Sequence, residues 1–307
     1  MLPIRVLDTV ASRLARRGEK KRKDPDRGDG ADKDGDDVEL EAKKNRLDAL
    51  LRTCGRVVVA FSGGIDSSLL ARTALDVLGP EAVTLAICVS PLLKNEELKR
   101  AMAWVRGNGC PSGVELVRLK WRPLALKEIA GNGPERCYVC KDRIYALLRK
   151  LAASRGGGEV ADGTNADDLH QDRPGLRAAR ELAVRMPLAD AGLGKNEVRR
   201  LAGMLGLSNR DQPASSCLAT RLPTGLPLTP ARLALVERWE REVELLGFAG
   251  CRVRMLDASG ERVGVEVAPQ DLDRLLQPSM RTTLIRSLQR AGARRIGLEL
   301  SGRPSRW

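Results

Sequence analysis

Residues 56–68 read RVVVAFSGGIDSS. Val57, Val58 and Val59 form an unbroken apolar run, suited to a parallel strand buried on both faces. A helical pattern begins directly after, with Asp66, Ser67 and Ser68 at its start. Between the two lies Ser62-Gly63-Gly64, and residues without a Cβ let an anion come close to the backbone. Ser62, the glycines and the first helical turn can aim several N–H donors at one phosphate. The stretch predicts a nucleotide-phosphate cradle. It has neither the lysine of a Walker A loop nor the spacing of a dinucleotide fingerprint.

On both sides of this loop, strand and helix signals alternate. We predict a helix running to Arg52, strands over 56–61, 82–89, 114–119 and 158–162, and helices over 65–78, 94–107, 141–154 and 195–205. That alternation predicts the α/β class, a doubly wound parallel sheet with ligands outside the carboxyl ends of its strands. The last predicted strand ends in ADGTNADD, residues 161–168, which puts Asp162, Thr164, Asn165 and Asp168 on a loop facing the nucleotide. The same residues also read as an Asx turn capping a helix. The helical pattern breaks near 208–214. Beyond it come an amphipathic helix over 230–246 with Pro230 in its first turn, strands in CRVRML and VGVEVA, and helices near 270–277 and 280–291. This is a smaller α+β C-terminal module, so the expected domains are 46–211 and 212–307. Residues 1–45 read as a disordered charged tail, with a short amphipathic stretch inside 1–18, because so polar a segment buries too little surface to offset its ordering entropy.

The chain of 307 residues carries a formal charge of +13, and its first 50 residues are nearly balanced at 13 basic against 12 acidic. The positive charge therefore belongs to the folded part, which suits ATP, a phosphorylated small molecule or RNA. Aromatic residues make up only 3%, which argues against a nucleic-acid partner read by base stacking. No run approaches the roughly 18 apolar residues of a membrane span. Seven cysteines, an odd number without a secretory signal, fit a reducing, cytoplasmic setting.

Cys137 and Cys140 stand in ERCYVCK, and Cys217 in SSCLATR. As a redox pair, the first two lack a thioredoxin-like context. As a zinc site, the trio lacks a fourth ligand, the single histidine being His170. As an iron–sulfur site, three thiolates leave one iron of a 4Fe-4S cluster open to an exogenous sulfide. A structural role is the remaining reading. Cys54, Cys88, Cys110 and Cys251 sit in apolar or turn contexts and read as core residues.

The SGGxDS form resembles the PP-loop of the N-type ATP pyrophosphatases, which cleave ATP between its α and β phosphates. Together with RCYVCK, DGTNADD, RPGLRAARELAV, PLADAGLGKNEVR, PASSCLATRLPTG and CRVR in that order, it is similar to the LarE-type ATP-dependent sulfur transferases over about residues 46–268. These are pyridinium-3,5-biscarboxylic acid mononucleotide sulfurtransferases, which help to build a nickel-pincer nucleotide cofactor. The resemblance implies a PP-loop domain with a smaller module, a homo-oligomer (hexamers are common in the family), and ATP and Mg²⁺ as cofactors. It also implies a small-molecule mononucleotide substrate whose carboxylate is adenylated and then converted to a thiocarboxylate. Cys217 matches the sulfur-bearing cysteine, and the added Cys137 and Cys140 match the family's 4Fe-4S type. The sulfur donor that would replenish such a cluster is not implied. The chain departs from the family at Arg210-Asp211-Gln212-Pro213, at Asp172 and at Met255.

The chemistry is coherent with that resemblance. A carboxylate has oxide as its leaving group; adenylation substitutes AMP, which a sulfur nucleophile displaces. Charge gathering on phosphoryl and carbonyl oxygens calls for N–H donors, a metal ion and cations. Lys195 and Arg221 are the candidate cations for the phosphates. Arg252 and Arg254 alternate along a predicted strand, face one side and are candidates to clamp the substrate's phosphate or carboxylate. Two rivals are a PP-loop tRNA thiolase using ATP and an iron–sulfur cluster, and a nucleotide-binding regulator with a structural zinc.

Overall fold

A computed structural model of the chain describes residues 31–107, 110, 114–170, 174–213 and 215–303. The expected tail over 1–30, its amphipathic stretch and the Asp172 departure lie outside the described residues. Strands β1 (Val57–Ala60), β2 (Val83–Val89), β3 (Leu116–Lys120) and β4 (Glu159–Ala161) form a parallel sheet in the order β3-β2-β1-β4. In register, Val57 pairs with Val83 on one side and with Glu159 on the other. Side chains alternate along a strand, and β1 fills two cores at once. Val57 and Val59 pack with Leu69, Leu70 and Ala74 of the helix Ile65–Leu78, backed by Val198 and Leu201 of the helix Lys195–Met204. Val58 and Val160 pack on the other face with Tyr145, Leu148 and Ala152 of the helix Arg136–Ser154. Both faces of the sheet are covered, and the expected doubly wound α/β fold is the fold observed.

The strand order decides where a ligand binds. From β1 the chain crosses to β2 and β3 on one side, then returns to β4 on the other. Such a reversal opens a crevice at the carboxyl ends of β1 and β4. The loops leaving those two strands are Ser62-Gly63-Gly64 and Asp162-Gly163-Thr164-Asn165.

One expectation needs correction. Residues 31–45, read as tail, belong to the helix Ala31–Cys54. Its charges conceal a single apolar stripe: Leu40, Leu47 and Leu51 are buried in the main core, at spacings that share one helical face. Each such leucine is worth about 1.5–3 kcal/mol on burial, enough to anchor a helix whose other faces are solvated. Lys43 adds a 2.7 Å ion pair to Glu197.

The second sheet is β5 (Arg252–Met255), β6 (Arg262–Glu266) and β7 (Arg295–Leu298), antiparallel between β5 and β6 and parallel between β6 and β7. Thr229 caps the helix Pro230–Leu245 by accepting from the Arg232 N–H at 3.2 Å, an arrangement that satisfies one of the four donors left open at a helix start. That helix buries Val236, Trp239 and Val243 against Val253, Val263, Val265 and Leu284. Leu92 and Ile129, from the first half of the chain, enter this second core, as do Leu218, Ala219 and Leu222. The turn after Cys217 is thus lodged where the two halves meet.

Candidate active site

Gly63 has φ +75°, and a Cβ there would lie 2.9 Å from the Ala101 backbone. The loop is therefore glycine-dependent for conformation as well as for space. Its shape is fixed from within: the Ser67 hydroxyl donates to the Gly64 carbonyl at 3.0 Å and accepts from the Ser62 N–H at 3.2 Å, and the two serine hydroxyls are 3.1 Å apart. Asn209 reaches in from the far end of the domain, its amide donating to the Gly63 carbonyl at 3.0 Å and to the Ser68 hydroxyl at 2.8 Å. Gly64 is the N-cap of the helix Ile65–Leu78 and provides no side-chain cap. First-turn N–H groups left without a cap are suited to an anion.

The β4 loop lies directly against this turn. A Cβ on Gly163 would come within 2.8 Å of the Ser67 nitrogen. Asn165 serves both roles read from the sequence. Its side-chain oxygen accepts from the Asp168 N–H in a capping box, and its amide donates to Asp66 at 2.8 Å. Burial raises the pKa of Asp66, while the Asn165 bond and the Lys195 charge draw it down. Lys195 and Asp168 both stand in electrostatic reach of Asp66. Asp162 is buried, accepting from the Thr164 N–H at 3.0 Å and from the Tyr145 hydroxyl.

The thiols come next. Cys137 and Cys140 lie in the first two turns of the helix Arg136–Ser154, and Cys217 precedes the short 3-10 turn Leu218–Arg221. Though far apart in sequence, they meet electrostatically: Cys140 feels both Cys137 and Cys217. Burial first, then Cys217, pushes the Cys140 thiol up to about 12. Crowding of its sulfur also raises Cys217, while the Ala219 N–H and the Arg136 guanidinium pull it down. All seven cysteines are free thiols. Among the described residues, no three His, Cys, Asp or Glu side chains are placed to hold a single metal ion.

Sequence reasoning missed the residues that join thiols to nucleotide loop. Lys141, next to Cys140, has its ammonium 3.8 Å from Asp162 and 3.1 Å from the Tyr145 hydroxyl. Burial opposes its charge, but Tyr145 and Asp162 outweigh that and raise its pKa. Arg136 donates to the Cys137 sulfur at 3.3 Å and to the Ala219 carbonyl at 3.2 Å. Asn132, wholly buried at φ +56°, in turn accepts from Arg136 and donates to the Pro223 carbonyl at 2.8 Å. The available signals were the basic residues flanking the Cys-x-x-Cys and an asparagine between two glycines.

The arginines part company. Arg221, expected at the phosphates, is buried instead in an ion pair with Glu240 at 2.7 Å, because that carboxylate lies in the second core and demands a cation. Arg252 and Arg254 share a face of β5, as expected. Arg254 is engaged by Glu266 and by the Thr220 carbonyl at 2.8 Å. Arg252 is 2% exposed, and its Nε and Nη2 have no hydrogen-bond partner. Burial, then Arg303, Arg221 and Arg254, push it down to about 10. A cationic group so placed is suited to an anion.

No protein-family model matches the chain. Among known proteins it is 36% identical to pyridinium-3,5-bisthiocarboxylic acid mononucleotide synthase of Lactiplantibacillus plantarum, over 86% of this chain and 92% of that one. It is equally similar, at 36%, to an uncharacterised protein of Synechocystis over 86% of this chain and 95% of the relative. At 28% identity over half of each chain it matches a glutamine-hydrolysing GMP synthase of Methanococcus vannielii, a more distant likeness confined to part of the molecule. With the PP-loop geometry and this extent of identity together, the chain belongs to the LarE-type family of pyridinium-3,5-bisthiocarboxylic acid mononucleotide synthases.

Proposed function

We propose that the protein is an ATP-dependent sulfur transferase acting on a carboxylate of pyridinium-3,5-biscarboxylic acid mononucleotide, in biosynthesis of a nickel-pincer nucleotide. The observation that carries this reading is the position of Lys141, shared between the thiol of Cys140 and Asp162 of the nucleotide loop. A transferable sulfur and an activated acyl phosphate must meet within one site, and this lysine marks where they would.

In the first step a carboxylate oxygen attacks the α-phosphorus of ATP and pyrophosphate leaves. The Ser62–Gly64 loop and the first N–H groups of the helix Ile65–Leu78 hold the phosphates, with Ser67 and Ser68 fixing the loop. Lys195 supplies positive charge at Asp66. The carboxylates of Asp66 and Asp168, with Asp162, Thr164 and Asn165 around them, suit a Mg²⁺ carried in by ATP. Arg252, the buried guanidinium without a partner, receives the substrate phosphate, with Arg254 beside it. In the second step sulfur attacks the acyl carbon, the bond to AMP breaks, and AMP departs with its electron pair.

Cys137, Cys140 and Cys217 would hold a 4Fe-4S cluster. The donor set fits: three thiols from two elements, in mutual electrostatic reach, with Arg136 and Lys141 beside them to balance anionic charge. A single ion needs its ligands drawn tightly together, whereas a cluster spreads them. When bound, such a cluster supplies an iron-held sulfur nucleophile through its open iron. The working form is a homo-oligomer, by resemblance a hexamer.

Anaerobic purification with iron and sulfide analysis tests this. We expect a brown protein that loses its colour as Cys137→Ala, Cys140→Ala or Cys217→Ala. A colourless protein loaded with zinc, or pyrophosphate release that requires tRNA, would contradict it.

A further inference from the structure

Lys94 closes the loop after β2, and its carbonyl accepts the Leu98 N–H at the start of the helix Asn95–Gly107. Its side chain, only 7% exposed, does not reach toward solvent. It bonds Glu240 and lies 3.3 Å from Glu244, both on the helix Pro230–Leu245 of the second half. Glu240 is 0% exposed and holds more than Lys94: its Oε1 accepts from Arg221 Nε at 2.7 Å and from the Val253 N–H at 3.1 Å. Arg221 passes the connection on. Its Nη1 donates to the Ser216 carbonyl at 2.8 Å, the Ser216 hydroxyl at 2.6 Å, the Thr220 hydroxyl at 2.9 Å and the Cys217 carbonyl at 3.3 Å. One hydrogen bond closes the circuit: the Leu218 N–H donates to the Leu92 carbonyl at 3.0 Å, two residues before Lys94.

Two buried cations converging on one buried carboxylate is an expensive construction. Desolvation consumes most of what the pairing yields, and apolar residues of similar size often stabilise a fold as well or better. Stability is therefore a poor explanation for the arrangement. What it does provide is orientation, since a fork-shaped guanidinium held by a fixed carboxylate has little freedom left. We propose that Lys94 is a positioning residue for sulfur transfer: through Glu240 and Arg221 it holds the Cys217 turn against the β2 loop of the nucleotide-binding half. Lys94 touches neither thiol nor phosphate in this arrangement. Its role is to keep the thiol-bearing turn at a fixed offset from the sheet whose loops bind ATP. The catalytic consequence rests on the sulfur-transfer reading above; the mechanical consequence does not.

The test uses the full chain as Lys94→Met and Lys94→Arg. Two readouts are compared with wild type: pyrophosphate release with ATP and the biscarboxylic mononucleotide, and thiocarboxylate formed per AMP. A third, independent of any substrate, is the iodoacetamide alkylation rate of Cys217 in metal-free protein, followed by peptide mapping. We expect K94M to release pyrophosphate within about twofold of wild type while its thiocarboxylate yield falls about tenfold or more, as misplacement of a reacting group predicts. Its Cys217 should alkylate several-fold faster, and K94R should restore both values. Parallel loss of both half-reactions, or wild-type yield and alkylation in folded K94M, would overturn the proposal. If K94M does not fold, Lys94→Gln, which keeps a donor for Glu240 without the charge, carries the same comparison. Should wild type release no pyrophosphate with this substrate, the functional reading fails, and the alkylation contrast alone decides the strut.

Discussion

Arg252 and Asn132 are the two residues whose cost is most visible. A guanidinium buried with two unpartnered nitrogens destabilises the empty protein, because burial without a counter-charge is unfavourable. Arg252→Met should therefore leave unfolding free energy unchanged or raise it by about 1–4 kcal/mol in urea titrations. The same variant should raise the KM for the mononucleotide. Lower stability together with an unchanged KM would assign Arg252 a structural role instead. Asn132 stands at φ +56°, in the left-handed region that favours Gly and tolerates Asn. Asn132→Ala should cost more than Asn132→Gly, by about 1 kcal/mol in urea unfolding, since both lose the bonds to Arg136 and Pro223 but only Ala adds backbone strain. Neither feature was legible in the sequence. A buried arginine and an exposed one are the same letter, and Asn132 between two glycines reads simply as a turn.

The elements themselves were far more readable. The strands ending at the phosphate loop and at Asp162, and the helices Ile65–Leu78, Asn95–Gly107 and Pro230–Leu245, follow from periodicity to within a residue or two. The helix Ala31–Cys54 did not, because one leucine per one or two turns is a sparse signal among so many charges. β7 was also missed, since RIGL is half exposed and glycine-bearing. Of the site, the two loops and three cysteines were legible as motifs. Their joints were not: Lys141 to Asp162 and Arg221 to Glu240 depend on which helix lies beside which loop. The closest joint is Gly163, whose missing Cβ lets the β4 loop touch the Ser67 nitrogen. Gly163→Ala should destabilise by about 1–3 kcal/mol, the usual cost of overpacking, and weaken ATP binding in calorimetry; unchanged affinity would mean that the two loops do not form one pocket.

For the whole molecule, the joint between the two halves is ionic as well as apolar. Burial opposes the charge on Glu240, but Arg221 and Lys94 outweigh it and hold its pKa below the ordinary glutamate range. A carboxyl depressed in the folded state contributes stability that is complete above its unfolded value and is lost as pH falls through its folded value. Stability measured against pH should therefore decline on the acid side, below the ordinary carboxylate range. Glu240→Gln should be less stable near neutrality by about 3–5 kcal/mol, since it strands two buried cations, and its acid limb should be shallower. Among the described residues no helix is long and apolar enough to cross a membrane. The central claim is that a sulfur held by Cys137, Cys140 and Cys217 reaches a carboxylate activated at the phosphate loop. Mass spectrometry of the mononucleotide after an anaerobic single turnover with ATP tests it most directly. The account predicts one oxygen replaced by sulfur for each AMP formed, and none with Cys217→Ala; AMP formed without sulfur gain in the wild-type protein would contradict it.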